Sequence, residues 1–135
     1  MIRPAEFRRA LAQLRGRAIG RVQTLRLAPE RIDAALLTRR TTLVNVQLRH
    51  DGKFQRFSET GGGFGHLDTI PYARLDPAAP QRLVRAAAAK LHRPTSRIDY
   101  LVPSITSGAV TWGAYFKGGA IFLADARGHI TRRIS

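Results

Sequence analysis

Residues 4–15 place Phe7, Leu11 and Leu14 at i, i+4 and i+7, one apolar stripe with Arg8, Arg9 and Arg15 on the other sides. Pro4 suits a first helical turn and Gly16 a stop. This amphipathic helix needs a surface to cover. The pattern then changes period. Val22, Leu25 and Leu27 suggest a strand with imperfect alternation, and residues 32–38 a second. Across 42–49, Val44, Val46 and Leu48 alternate with Asn45 and Gln47, the clearest strand of the first half. His50-Asp51-Gly52-Lys53 reads as a hairpin turn, because glycine reaches the positive φ the turn requires. Residues 54–59 return as a fourth strand, and the spacing of Phe54 and Phe57 suits a bulge.

Residues 60–72 form a glycine-rich loop. Asp76 and Pro77 read as the N-cap and first residue of a second helix, which propensity carries through 81–91. Leu83, Ala87 and Leu91 form its packing stripe, and Pro94 ends it. Strands follow at 98–102, 110–116 and 120–124, with a short one at 130–134. Pro103 marks a strand end or an edge position.

The chain also repeats itself. Arg31-Ile32-Asp33 returns as Arg97-Ile98-Asp99, and at the same offset Val44 falls on Val110, Gly52 on Gly118 and Glu59 on Asp125. The expected fold class is α+β: two α-β-β-β repeats, with two helices packed on one face of a curved, mainly antiparallel sheet. The expected organisation is one domain over 1–135, made of a first repeat (1–60), a glycine-rich linker (61–75) and a second repeat (76–135).

The segment from Trp112 through the Lys117-Gly118-Gly119 turn to Asp125-Ala126-Arg127-Gly128 resembles the PepSY domain. It has the order helix then strands, an aromatic central strand, a glycine turn and a closing Asp-x-x-Gly turn. A tandem pair resembles the layout of the β-lactamase-inhibitor-protein-like fold. The resemblance implies a non-catalytic module, of the kind found as inhibitory propeptide segments, regulators or membrane-associated extracytoplasmic domains. PepSY modules are often acidic and this chain is basic, so peptidase inhibition is not carried over.

The formal net charge is +14, and of 23 basic residues only Lys53, Lys90 and Lys117 are not arginine. Such a charge attracts polyanions, although an arginine-rich composition also arises without selection for binding. No run of apolar residues approaches the ~20 of a membrane span. The chain is expected to be soluble, by itself or as a soluble part of a longer, anchored or exported protein. The lack of cysteine removes disulfides and thiolate chemistry and leaves the compartment open.

No catalytic set, cofactor or metal site is expected. The glycine loop lacks the Gly-Lys-Ser/Thr ending of a phosphate-binding P-loop. His66, Glu59 and Asp68 form a weak metal-binding grouping that reads more simply as solvated loop residues. Asp33 and Asp99 are repeat-equivalent carboxylates whose simpler role is pairing with Arg31 and Arg97.

Alternation puts Trp112 and Ala114 on one sheet face and Tyr115 on the other, which the helices leave uncovered. The first functional expectation is a non-enzymatic binding or regulatory module. It contacts a protein or peptide through Tyr115 and Phe116 on the open face, or through Gly62, Phe64 and His66 in the inter-repeat loop. The second is binding of nucleic acid or anionic lipid through Arg8, Arg9, Arg15 and Arg17.

Overall fold

A computed structural model describes residues 1–135. Helix α1 (Pro4–Gly16) precedes strands β1 (Arg21–Leu27), β2 (Arg31–Leu37), β3 (Leu43–Arg49) and β4 (Phe54–Thr60). Helix α2 (Ala79–Leu91) precedes β5 (Ile98–Thr106), β6 (Ala109–Phe116), β7 (Ile121–Ala124) and β8 (Ile130–Arg133). Short 3-10 turns at Tyr72–Arg74 and Thr95–Arg97 lead into α2 and β5. All eight strands form one open antiparallel sheet in the order β4-β3-β2-β1-β5-β6-β7-β8. No helix is long and apolar enough to cross a membrane.

The helices cover one sheet face. Phe7, Ala10, Leu11 and Leu14 of α1, and Leu83, Val84, Ala87 and Ala88 of α2, are buried against the inward residues of the strands. The period-2 pattern fixes which strand residues these are. Val44, Val46 and Leu48 of β3 point inward, as do Val110, Trp112, Ala114 and Phe116 of β6. Ala87 and Ala88 put only methyl groups on the buried side of α2 there, while Leu83 and Val84 fill the space beside them.

Four local features differ from simple periodicity or explain its faults. The register shifts between Val22 and Thr24, which accounts for the imperfect alternation of β1. A second shift on β4 leaves Phe57 without a partner on β3, between Arg56 (opposite Val46) and Ser58 (opposite Asn45), which is the expected bulge. Helix α2 begins at Ala79, two residues beyond the expected start. Asp76 does not cap it. Its carboxylate accepts the Ala78 N–H at 2.9 Å and its carbonyl the Ala79 N–H at 3.1 Å, making a turn before the helix.

The fourth concerns Pro103. β5 runs through it, paired with β6 by Pro103 opposite Trp112. On the other side β5 meets β1 only at Leu101 opposite Leu27. Beyond that point the two strands part, and Pro103 has the freedom of an edge position inside a central strand. Ile70, from the glycine-rich segment, closes β1 there instead, donating its N–H to the Val22 carbonyl at 2.8 Å.

Candidate functional site

The sequence between α1 and β1 turns sharply. Ala18 adopts a left-handed φ of 53°, and Gly20 lies so close to the Leu37 carbonyl that a side chain there would collide with it. This tight passage brings the end of α1 down beside β1 and the β2–β3 turn. That turn is closed by Thr38 N–H to Thr42 carbonyl at 2.9 Å and by paired Thr38 and Thr42 hydroxyls at 2.7 Å. Its tip presents Arg39 and Arg40, both exposed.

The result is a trough of about 1000 Å³ lined by Arg15 of α1, Arg21 of β1, Arg39 and Arg40 of the turn, Arg56 of β4, and Tyr72. Glu59 is the one carboxylate at this site. It is engaged by Arg56 at 3.8 Å and by the Thr42 hydroxyl at 3.0 Å. Arg15, Arg21, Arg39 and Arg40 have no carboxylate partner. Tyr72 is half-buried, with its hydroxyl donating to the Gly20 carbonyl at 3.4 Å. Burial pushes its phenol up, against an opposing pull from Arg15, so it stays a neutral donor well into alkaline solution. A concave site holding several unpaired guanidiniums suits phosphate or sulfate groups, whose oxygens match the planar guanidinium fork.

The glycine-rich loop supports this site from behind. Gly63 N–H donates to the Thr41 hydroxyl at 3.1 Å and Phe64 N–H to the Thr41 carbonyl at 3.0 Å. Gly62 lies against the Arg40 carbonyl, and Gly65 packs on the Thr41 methyl. The loop is therefore docked on the β2–β3 turn. Gly62 and His66 are exposed and Phe64 is half-buried.

The uncovered sheet face carries a different chemistry. Tyr115 stacks on Tyr100 of the neighbouring strand, with ring centroids 4.7 Å apart and planes 17° from parallel. The Arg26 guanidinium sits over the Tyr100 ring at 4.0 Å. The Tyr115 ring also lies over Gly113, which has no side chain to hold it away. Next to this column a shallow groove of about 540 Å³ passes Thr24, Asp33, Ala35, Asn45 and Val102 to Phe57, which is 57% exposed.

The structure separates the residues expected to act together. Phe116 is not a surface contact: alternation turns it into the core, 4% exposed and edge-on to Phe122 at 6.0 Å. Arg8 and Arg15, seven residues apart on α1, share one side and reach adjoining hollows. Arg9 faces the β3–β4 hairpin side, and Arg17 stacks on the Phe54 ring at 3.7 Å. Arg21, Arg39, Arg40 and Arg56 were missed because only folding gathers them. Asp33 is held by Arg31 at 3.0 Å and Gln47 at 2.9 Å. His66, Glu59 and Asp68 do not form a cluster able to hold a metal ion.

No protein-family model, curated protein or solved structure matches this chain.

Proposed function

We propose that the protein is a non-enzymatic module that binds a phosphate- or sulfate-rich polyanion in the arginine trough. The observation that carries this reading is the convergence of five arginines from α1, β1, the β2–β3 turn and β4 on one hollow with a single, already paired carboxylate. A net charge of +14 draws anions to the molecule, and the trough gives them a place to stop. The shifted carboxylates, Asp51 and Asp125, sit in exposed hairpin turns and owe their lowered pKa first to backbone donors, which suits structure rather than acid–base chemistry. The resemblance of residues 112–128 to PepSY modules, which implies a non-catalytic binding module, is compatible with a role of this kind.

The test is affinity for heparin across a salt series, with an Arg15→Ala/Arg21→Ala/Arg40→Ala variant beside the wild type. Binding that weakens steeply with salt and is lost in the triple variant supports the reading. Equal binding by an Arg82→Ala/Arg85→Ala variant of α2 locates it. Affinity untouched by the trough substitutions sinks it.

A second reading is favoured by a separate observation. The Arg26–Tyr100–Tyr115 column and the exposed Phe57 lie on a face that no helix covers. That face suits a protein or peptide partner, with binding that changes little with salt. Tyr115→Ala would weaken such binding and leave heparin affinity unchanged.

A further inference from the structure

Beside the arginine trough is a second hollow of quite different character. It has a volume of about 310 Å³, and Ala12, Tyr72, Ala73 and Pro77 give it an apolar lining between Arg8 and Arg15. Arg15 and Tyr72 belong to both hollows, so the apolar slot opens beside the charged trough. A ligand that fills both must carry a small apolar group next to an anionic chain.

We infer that the site takes single-stranded nucleic acid, with phosphates along Arg15, Arg21, Arg39, Arg40 and Arg56 and one base seated in the apolar slot. This rests on the polyanion reading and narrows it. A base is flat and presents an apolar π-face, which an aromatic ring or a guanidinium plane can cover. Tyr72, Arg8 and Arg15, which line this hollow, carry groups of that kind. A bare polyanion such as heparin uses the trough and leaves the slot empty.

Two other phosphate carriers fit less well. A lipid surface is engaged by protruding apolar side chains together with cations. The exposed large hydrophobic residues are Phe57 and Ile134, and neither lines the trough or the slot. A duplex keeps its bases stacked inside and is read by an element that projects into a groove. Here the protein offers an open hollow beside the trough rather than a projecting element, which an unpaired base can occupy and a stacked one cannot.

The experiment measures anisotropy of a labelled oligouridylate of about 12 nucleotides, within the span that single-strand-binding folds cover. An abasic strand of equal length, a duplex, heparin and phosphatidylserine vesicles are compared with it. The variants are the trough triple, Arg15→Ala/Arg21→Ala/Arg40→Ala, and Ala12→Phe. Ala12 is exposed on α1, so Phe there fills the slot without entering the core. The Trp112 emission and circular dichroism of each variant verify its fold. The expected result is roughly tenfold tighter binding of the oligouridylate than of the abasic strand, a margin that Ala12→Phe removes while heparin affinity stays the same. The plot of log affinity against log salt should have a slope of about −3 to −4, from five or so phosphate contacts. Equal affinity for the two strands, or an oligouridylate margin that survives Ala12→Phe, overturns the inference and leaves the polyanion reading standing. Preference for vesicles or for duplex overturns it as well. Failure of heparin and of every nucleic acid to bind removes both.

Discussion

Trp112 is fully buried, and Phe7 of α1 meets it edge-on at 5.9 Å. Its indole N–H has no hydrogen-bond partner, which costs about 1–3 kcal/mol of desolvation. Trp112→Ala should lower stability by about 3–5 kcal/mol, through lost contacts and the cavity left behind. Trp112→Phe should cost much less, because the orphan donor leaves with the lost volume. Urea unfolding followed by circular dichroism measures both. At the same scale, Asp125 accepts the backbone N–H groups of His129 at 2.9 Å and Arg127 at 3.0 Å. The His129 donor is the larger cause of its lowered pKa. A carboxylate whose folded pKa lies below its unfolded value binds fewer protons when folded, so its stabilisation is present above the ordinary value of 3.8 and fades as pH falls through the lowered one. The group is largely solvated, so the effect is small. Melting curves of wild type and Asp125→Asn should differ at neutral pH and converge as pH falls through the lowered pKa. The Asp-x-x-Gly spacing made this turn legible in the sequence, because both its polar acceptor and its glycine are local requirements.

Two glycines with the same backbone show what an element adds to a residue. Gly52 and Gly128 both have φ of +87° in hairpin turns. A methyl group on Gly52 meets only solvent, whereas on Gly128 it would collide with the Ala79 carbonyl at the start of α2. Gly52→Ala should therefore cost only the left-handed strain, about 1–2 kcal/mol. Gly128→Ala should cost about 3 kcal/mol or more, since strain and overpacking add. Thermal melts of the two variants side by side test this, and equal losses would mean that the β7–β8 turn and α2 can move apart. The turns themselves could be read from sequence, but not that one of them lies under a helix. The same limit explains the rest. Stripes marked both helices, and alternation marked the inward and outward residues of β3 and, in β6, of Trp112, Ala114 and Tyr115, while Phe116, expected on the open face, obeys the same alternation and turns inward. The start of α2 was misplaced because Asp-Pro suits a helix cap and an Asx-turn equally well. Pro103 was hard to place because the β1–β5 seam pairs only at Leu27 and Leu101, residues distant in the chain whose meeting no local pattern shows. Arg8 and Arg15 were visible as helical neighbours, while Arg21, Arg39, Arg40 and Arg56 share no local pattern and meet only through the strand order.

At the scale of the whole molecule, the strand order runs outward from a β1–β5 centre, with four strands on each side and one helix preceding each set of four in the chain. The internal similarity of the sequence is out of step with this by one strand, since its offset lays Arg31–Asp33 of β2 on Arg97–Asp99 at the start of β5. Charge is the other molecular-scale property. A compact body carrying +14 repels itself, and the repulsion is relieved as salt shortens the Debye length from about 30 Å at 0.01 M to about 8 Å at 0.15 M. The melting temperature should therefore rise with sodium chloride, by an effect that depends on ionic strength alone. A trough that binds phosphate adds a second term, because a ligand held only by the folded state stabilises it by RT ln(1 + [L]/Kd), about 2.7 kcal/mol at a hundredfold excess over Kd. In a protein of this size each kcal/mol is worth about 2–4 °C or somewhat more. At matched ionic strength, phosphate should raise the melting temperature above its chloride value by several degrees in the wild type. The Arg15→Ala/Arg21→Ala/Arg40→Ala variant has less charge to screen, so it should show a weaker chloride effect and lose the extra phosphate term. If phosphate and chloride act alike on the wild type at equal ionic strength, the arginines of the trough act only as part of the general field and hold no anion.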